Sequence, residues 1–276
     1  MTDPGTTRRA FLLSTAAACF AAPAASARPK PPRQGVPLHL EPMAYDYGAL
    51  QPCFKAACLR RHYETHHAHL LRELSQALKE QDLTVGSVQC LLPGMERLAR
   101  PSRQASSLPL GRPFRLDLGH PTRPSLPDPL VRVIREAGGG HVNHTIFWRS
   151  MRPAGRGATE PHAELARAIR EDFGSVRTFR RVFKEAVLAH QGSGWAWLVY
   201  RQDRSLVVST TANEDNPCMQ DHVPWHQAGR PILALDLWEH SYCETHGDDR
   251  ERYLDSWWKV VNWEYAARSY QIASAT

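Results

Sequence analysis

Beyond residue 27 this 276-residue chain contains no apolar run approaching the ~20 residues that cross a bilayer, so no membrane helix is expected in its body. Cysteine is scarce: six are present and none form a C-x-x-C pair, which excludes a zinc ribbon. The five beyond residue 27 (Cys53, Cys58, Cys90, Cys218 and Cys243) are an odd number and make no disulfide framework, although they leave room for one bridge, Cys53 to Cys58. Dense basic runs are missing as well. The net charge is +6, but Lys and Arg are scattered through helical-looking segments, which argues against nucleic acid and suits a small anionic substrate. No internal repeat is visible.

The opening residues read as an address. Thr7-Arg8-Arg9-Ala10-Phe11-Leu12 precedes a short apolar stretch ending at Ala25-Ser26-Ala27, the pattern of a twin-arginine export signal over residues 1–27. The mature chain is expected to start near Arg28 and to be periplasmic or secreted, with no stable membrane association once the signal is removed. Twin-arginine export carries folded proteins, so a metal ion can be inserted before competing ions are met.

Residues 28–37 are Pro-rich. Across 56–83, Leu59, Tyr63, Leu70, Leu71, Leu74 and Leu78 recur at helical spacing. Composition shifts to Pro, Ser, Arg and Gly between 94 and 129, predicting a long loop, with an insertion at about 97–127. A helix over 130–137 runs into Gly138-Gly139-Gly140, and a further helix carries His144 and Trp148. Two short helices follow over 160–190, one with Ala163, Leu165, Ala168 and Ile169 on one face, the other with Phe179, Val182, Phe183 and Val187. Alternation then replaces helical spacing: 195–200 and 205–209 read as a β-hairpin, 232–237 as a third strand, and 252–270 as one closing helix rich in aromatics. The order is helical first, then α+β.

Three groups of residues carry chemistry. His62 and His66 lie four apart on the first helix and share a face, but Tyr63 follows His62, so the H-E-x-x-H pattern of zinc proteases fails; a metal pair and a pair satisfied by solvent or core are equally compatible. His67 and His69 read as bystanders. Gly138 to His144 places an Asn and a His behind close-packing glycines. Asp236-Leu237-Trp238-Glu239-His240 ends an apolar strand in ionisable groups, and burial there is costly unless the groups are paired or metallated.

The segments 59–67, 140–148, 192–198 and 236–240, in this order, resemble iron/manganese superoxide dismutases, and 171–175 and 257–264 extend the likeness from about residue 38 to 270. The resemblance implies an α+β fold, with a helical hairpin N-terminal domain (28–155, including the insertion) followed by a C-terminal α/β domain (156–276) holding a small antiparallel sheet. It implies one manganese or iron ion held by His62, His144, Asp236 and His240 with a solvent molecule in fifth position, and one-electron conversion of superoxide to dioxygen and hydrogen peroxide. It also implies His66 in the substrate funnel, Trp195 as an aromatic wall, and a homodimer in which Glu239 of one subunit meets His240 of the other.

The chain departs from the family at three places. A tyrosine eight residues after the first ligand is Leu70, a glutamine that reaches the bound solvent is Glu214, and a tyrosine three after the last ligand is Cys243. An ionised carboxylate only accepts hydrogen bonds, so Glu214 shifts the redox balance unless burial keeps its proton on. Gly140 with Glu214 resembles the manganese-type arrangement. The expected function is therefore a superoxide dismutase, the alternative being a metal-binding relative on the same fold that has lost turnover and serves as a metal store or interaction protein.

Overall fold

A computed structural model describes residues 37–93, 114–115 and 126–275. The expected signal, residues 1–27, lies outside them, as does most of the expected insertion. Those described fall within one compact unit, Gly35–Thr276, and no helix among them is long and apolar enough to cross a membrane.

Helix α1 (Ala56–Arg61) passes without a break into a π-helical segment (His62–His67) and then α2 (Ala68–Glu80). Leu59, Leu70, Leu74 and Leu78 form its buried stripe. Thr84 and Leu83 form β1 (Leu83–Thr84), which pairs in parallel with β2 (Phe114–Arg115), a strand inside the stretch expected to be loop. Helix α3 (Asp128–Val133) starts with Pro129 in its first turn, where a missing N–H is harmless, and an acidic residue at its positive end. It continues through a second π-helical segment (Ile134–Gly138) into α4 (Gly139–Arg149).

The triple glycine therefore lies inside a helix, where a break between two helices was expected. Glycine there weakens a helix by about 1 kcal/mol per residue, but close approach requires it. A Cβ on Gly139 would strike the Glu214 carbonyl oxygen and come within 2.7 Å of Met219 Cε; one on Gly140 would lie 2.8 Å from Leu70 Cδ1.

Helices α5 (Ala163–Phe173) and α6 (Val176–Ala189) are separated by Gly174 at φ +79° and by Ser175, whose Oγ caps α6 by accepting from Thr178 N at 3.0 Å. Ala163 is exposed and Ala166 takes its place in the buried face. Strands β3 (Gly194–Tyr200), β4 (Leu206–Ala212) and β5 (Arg230–Asp236) form an antiparallel sheet in the order β4-β3-β5. All of β3 is buried, as expected of the central strand of a sheet whose strands pack against α4, α5, α6 and α9. The pairing sets Trp195 directly across from Asp236.

Helix α7 (Glu239–His246) follows β5 closely. The single closing helix expected over 252–270 is two, α8 (Arg250–Trp258) and α9 (Trp263–Ser274). Asn262 interrupts it: its Oδ1 accepts from Tyr265 N at 3.1 Å and starts α9. Cys53 and Cys58 stand as free thiols.

Aromatic stacking fills the core between α6, α8 and α9, with Phe183 against Trp257 at 5.5 Å and Trp258 against Trp263 at 6.1 Å. Phe183→Ala is expected to lower the unfolding free energy by about 3–5 kcal/mol in urea titrations, and exposed Leu188→Ala by less than about 0.5 kcal/mol.

Candidate metal centre

Four side chains from four elements meet at one point. His62 comes from the first π-helical segment, His144 from α4, Asp236 from the last position of β5, and His240 from the first turn of α7. Their donor atoms all lie within 4.8 Å of one another. The Nε2 atoms of His62, His144 and His240 stand 3.2, 3.7 and 3.8 Å from Asp236 Oδ2.

These are not ion pairs. Burial lowers the pKa of His62 to about 3 and of His240 to about 4, and lowers His144 well below its usual value, so the imidazoles are neutral. His144 Nδ1–H donates to Gly140 O at 2.7 Å, which turns a bare Nε2 toward the cluster, 2.9 Å from Nε2 of His62. Asp236 uses Oδ1 to accept from Trp238 N at 2.8 Å, while Oδ2 is buried and has no hydrogen-bond partner. Burial pushes Asp236 up to about 7.

Neutral imidazoles, one of them with a bare Nε2, and an orphaned carboxylate oxygen converge in a largely buried site, an arrangement that is costly unless a cation lies among them. Two donors about 2.1 Å from a common ion are separated by roughly 3.0 Å at right angles and 3.6 Å at 120°, close to the separations seen here. The donor set fits a metal ion.

Around it stands an aromatic wall: Trp195 edge-on to His144 at 4.9 Å, Trp148 edge-on to His62 at 4.8 Å, and Trp238 at 5.7 Å from His240. Glu214 is buried. Its Oε2 accepts from Trp195 Nε1 at 3.0 Å and from Asn143 Nδ2 at 3.2 Å, and its Oε1 is buried without a partner. Burial, and secondarily the Asp236 charge, raises its pKa well above the usual carboxylate range. His66 is half-buried, with an unpartnered Nε2, and joins His144 and Glu214 in a second, overlapping group of potential ligands.

The chain is 35% identical over 251 residues to "Superoxide dismutase [Mn] 1" of Leptolyngbya boryana, covering 91% of this chain and 86% of the relative. The chain belongs to the iron/manganese superoxide dismutase family. The family profile described as "Iron/manganese superoxide dismutases, C-terminal domain" matches residues 161–269. "Superoxide dismutase [Mn/Fe]" of Methylomonas sp. (strain J) is 34% identical, over 86% of this chain and 98% of the relative, and "Superoxide dismutase [Mn]" of Pseudomonas aeruginosa is 33% identical, over 87% and 100%.

Within this dismutase-family chain, His62, His144, Asp236, His240, His66, Trp195 and Glu214 are together, whereas Glu239 is exposed at the start of α7. Leu70 is buried beside Gly140, and Cys243 is a half-buried free thiol. Sequence reasoning missed His67. A π-helical turn is wider than an α-turn, so residues four and five after His62 flank it together. His67 is buried and stacked on His144 at 5.3 Å, while His69 is exposed beside Glu73. The doubled histidine was the available signal.

Two outcomes are expected. Manganese(II) at 100 times its Kd should stabilise the protein by about 2.7 kcal/mol in urea titrations, and His144→Ala should abolish the effect. Metal-free protein should lose stability as pH falls from about 6.5 to about 4. Its buried imidazoles (His62 near 3, His66 and His240 near 4) bind fewer protons than in the unfolded chain over that window. Asp236 and Glu214 act in the opposite sense, but the histidines with lowered values outnumber them.

Proposed function

We propose that this chain is an exported superoxide dismutase, working as a homodimer, in which His62, His144, Asp236 and His240 hold one manganese or iron ion, with manganese preferred. The observation that carries the assignment is the buried, unpartnered Asp236 Oδ2 among three neutral imidazoles. Dismutation joins two superoxides and two protons into dioxygen and hydrogen peroxide: one superoxide is oxidised and the other reduced. A bound manganese or iron ion supplies the one-electron relay between the two halves.

The chain's own residues supply the rest. Trp195 and Trp148 exclude water from the ligands. Glu214 serves as a proton holder. Its Oε2 already accepts two hydrogen bonds, so a proton kept on by burial sits on Oε1 and can be donated toward the cluster, as an amide would do. His66 Nε2, also unpartnered, faces the same space from the more open side. The absence of a side chain at Gly140 and the reach of Glu214 from the turn after β4 support manganese, as do relatives named for it.

The homodimer is supported by the exposure of one ligand. The side chain of His240 is 34% exposed while those of the other three are at most 4%. A second copy meeting Glu239 and His240 would complete the burial that a tuned metal site requires. Export rests on Arg8-Arg9 and the Ala25-Ser26-Ala27 pattern alone.

Superoxide decay per bound ion should be fast after loading with manganese, slower with iron, and absent in His144→Ala; full metal occupancy without decay would leave a metal-binding protein on a dismutase fold. Glu214→Gln should keep the rate within about tenfold near neutral pH. It should also lack the wild type's decline at alkaline pH, because the wild type loses its donor as Glu214 finally ionises. A pH profile identical to wild type would remove Glu214 from proton holding.

A further inference from the structure

Trp148, His67 and His141 form a buried chain of hydrogen bonds with only one direction. An indole nitrogen donates and never accepts, so Trp148 Nε1–H donates to His67 Nδ1 at 3.1 Å. His67 therefore keeps its proton on Nε2 and donates it to His141 Nδ1 at 2.8 Å. His141 is left with its proton on Nε2, which it donates to the Pro37 carbonyl at 2.8 Å. Both tautomers follow from the partners alone.

The three side chains are 6, 2 and 0% exposed, so each of these polar atoms would be orphaned if a partner were lost. Apolar side chains would fill the same space without that liability, which asks what the polar chain does.

Its inner end grips the metal ligands. The Trp148 ring stands edge-on to His62 at 4.8 Å, and the His67 ring lies nearly parallel to His144 at 5.3 Å and 21°. Its outer end is tied to a strap of chain that crosses both ligand-bearing helices. Beyond Pro37, the Glu41 carbonyl accepts from Tyr63 Oη, and its carboxylate pairs with Arg149; Tyr45 Oη donates to Trp148 O at 3.1 Å, and Tyr47 Oη to Glu64 Oε1 at 2.9 Å.

We propose that His67 and His141 are positioning residues: with tautomers locked between Trp148 and Pro37, they hold Trp148 against His62 and seat His67 on His144, so that both ligand imidazoles face the site before an ion arrives. This rests on the metal-site reading above. Neither residue touches substrate.

The test uses the metal-free protein with 15N-labelled histidine and tryptophan, titrated with manganese(II) chloride. In the wild type both His67 and His141 show the Nε2–H tautomer. His141→Phe removes the acceptor for His67. His67 keeps its Nε2–H, because Trp148 still donates to Nδ1, but that N–H loses its acceptor: its resonance and the Trp148 indole resonance shift, and manganese(II) binds about tenfold more weakly. His141→Gln, whose amide can accept from His67 and donate to Pro37, restores the resonance and the affinity.

Trp148→Phe keeps a ring and drops the indole donor, and serves if His141→Phe does not fold; a shifted resonance of the now unpartnered His67 Nδ1 and the same loss of affinity are expected. Other tautomers in the wild type would overturn the direction of the chain. Affinity held within about twofold, with the indole resonance displaced, would overturn the positioning role. Because the readout is manganese(II) affinity and not turnover, a wild type that binds the ion but leaves superoxide untouched would count against dismutation alone.

Discussion

A carboxylate oxygen with no hydrogen bond, sealed among neutral imidazoles, is the constraint around which this molecule is arranged. Asp236 Oδ2 is fully buried and receives no hydrogen bond from its nearest neighbours: burial keeps those imidazoles neutral, and His144 spends its one N–H on the Gly140 carbonyl. Such a group strongly destabilises a fold that holds no cation there. The fold instead spends its central strand pair on placing it: the register that sets Trp195 opposite Asp236 also fixes the direction from which α7 returns with His240.

Tight packing on the other side follows from the same need. Gly139 and Gly140 let α4 lie against the turn carrying Glu214 and against Leu70, and that closeness brings His144 and Asn143 within reach of a carboxyl group from a distant loop. Helix propensity is given up at the glycines so that polar groups from α4 and the 212–216 turn can complete each other. The Arg135–Asp215 pair, at 2.6 and 2.8 Å, holds that turn from outside.

Much of this was legible in the sequence, for physical reasons that can be named. Asp236 stood out because an apolar strand ending in Asp, Trp, Glu and His has no ordinary packing explanation, and the resemblance supplied its partners. The sheet was legible from alternation, apart from the edges of its strands. The break between α8 and α9 was not, because the aromatic pattern runs straight through it and only Asn262, an inconspicuous cap, interrupts the helix. Glu214 was legible as a departure, but the rise of its pKa was not: that comes from burial, and secondarily from the Asp236 charge, against the hydrogen bonds of Trp195 and Asn143, all of which meet it only in three dimensions. His67 was dismissed because a wheel with 3.6 residues per turn points it away from His62. The export signal remains a sequence reading, since residues 1–27 lie outside those described.

The widened turn from His62 to His67 also sets the phase of everything after it. Each residue of an α-helix advances the chain by about 100°, so taking one residue out of this segment would rotate α2 by more than a quarter turn relative to α1. Leu70, Leu74 and Leu78, which now face the interior, would swing toward solvent while Leu59 stayed in place. The histidine doublet and the leucine stripe are thus geared to each other: point substitutions can alter either one alone, but a change in length within this turn throws both out of alignment at once, so the segment should diverge among descendants of this chain by exchange of residues and not by gain or loss of them.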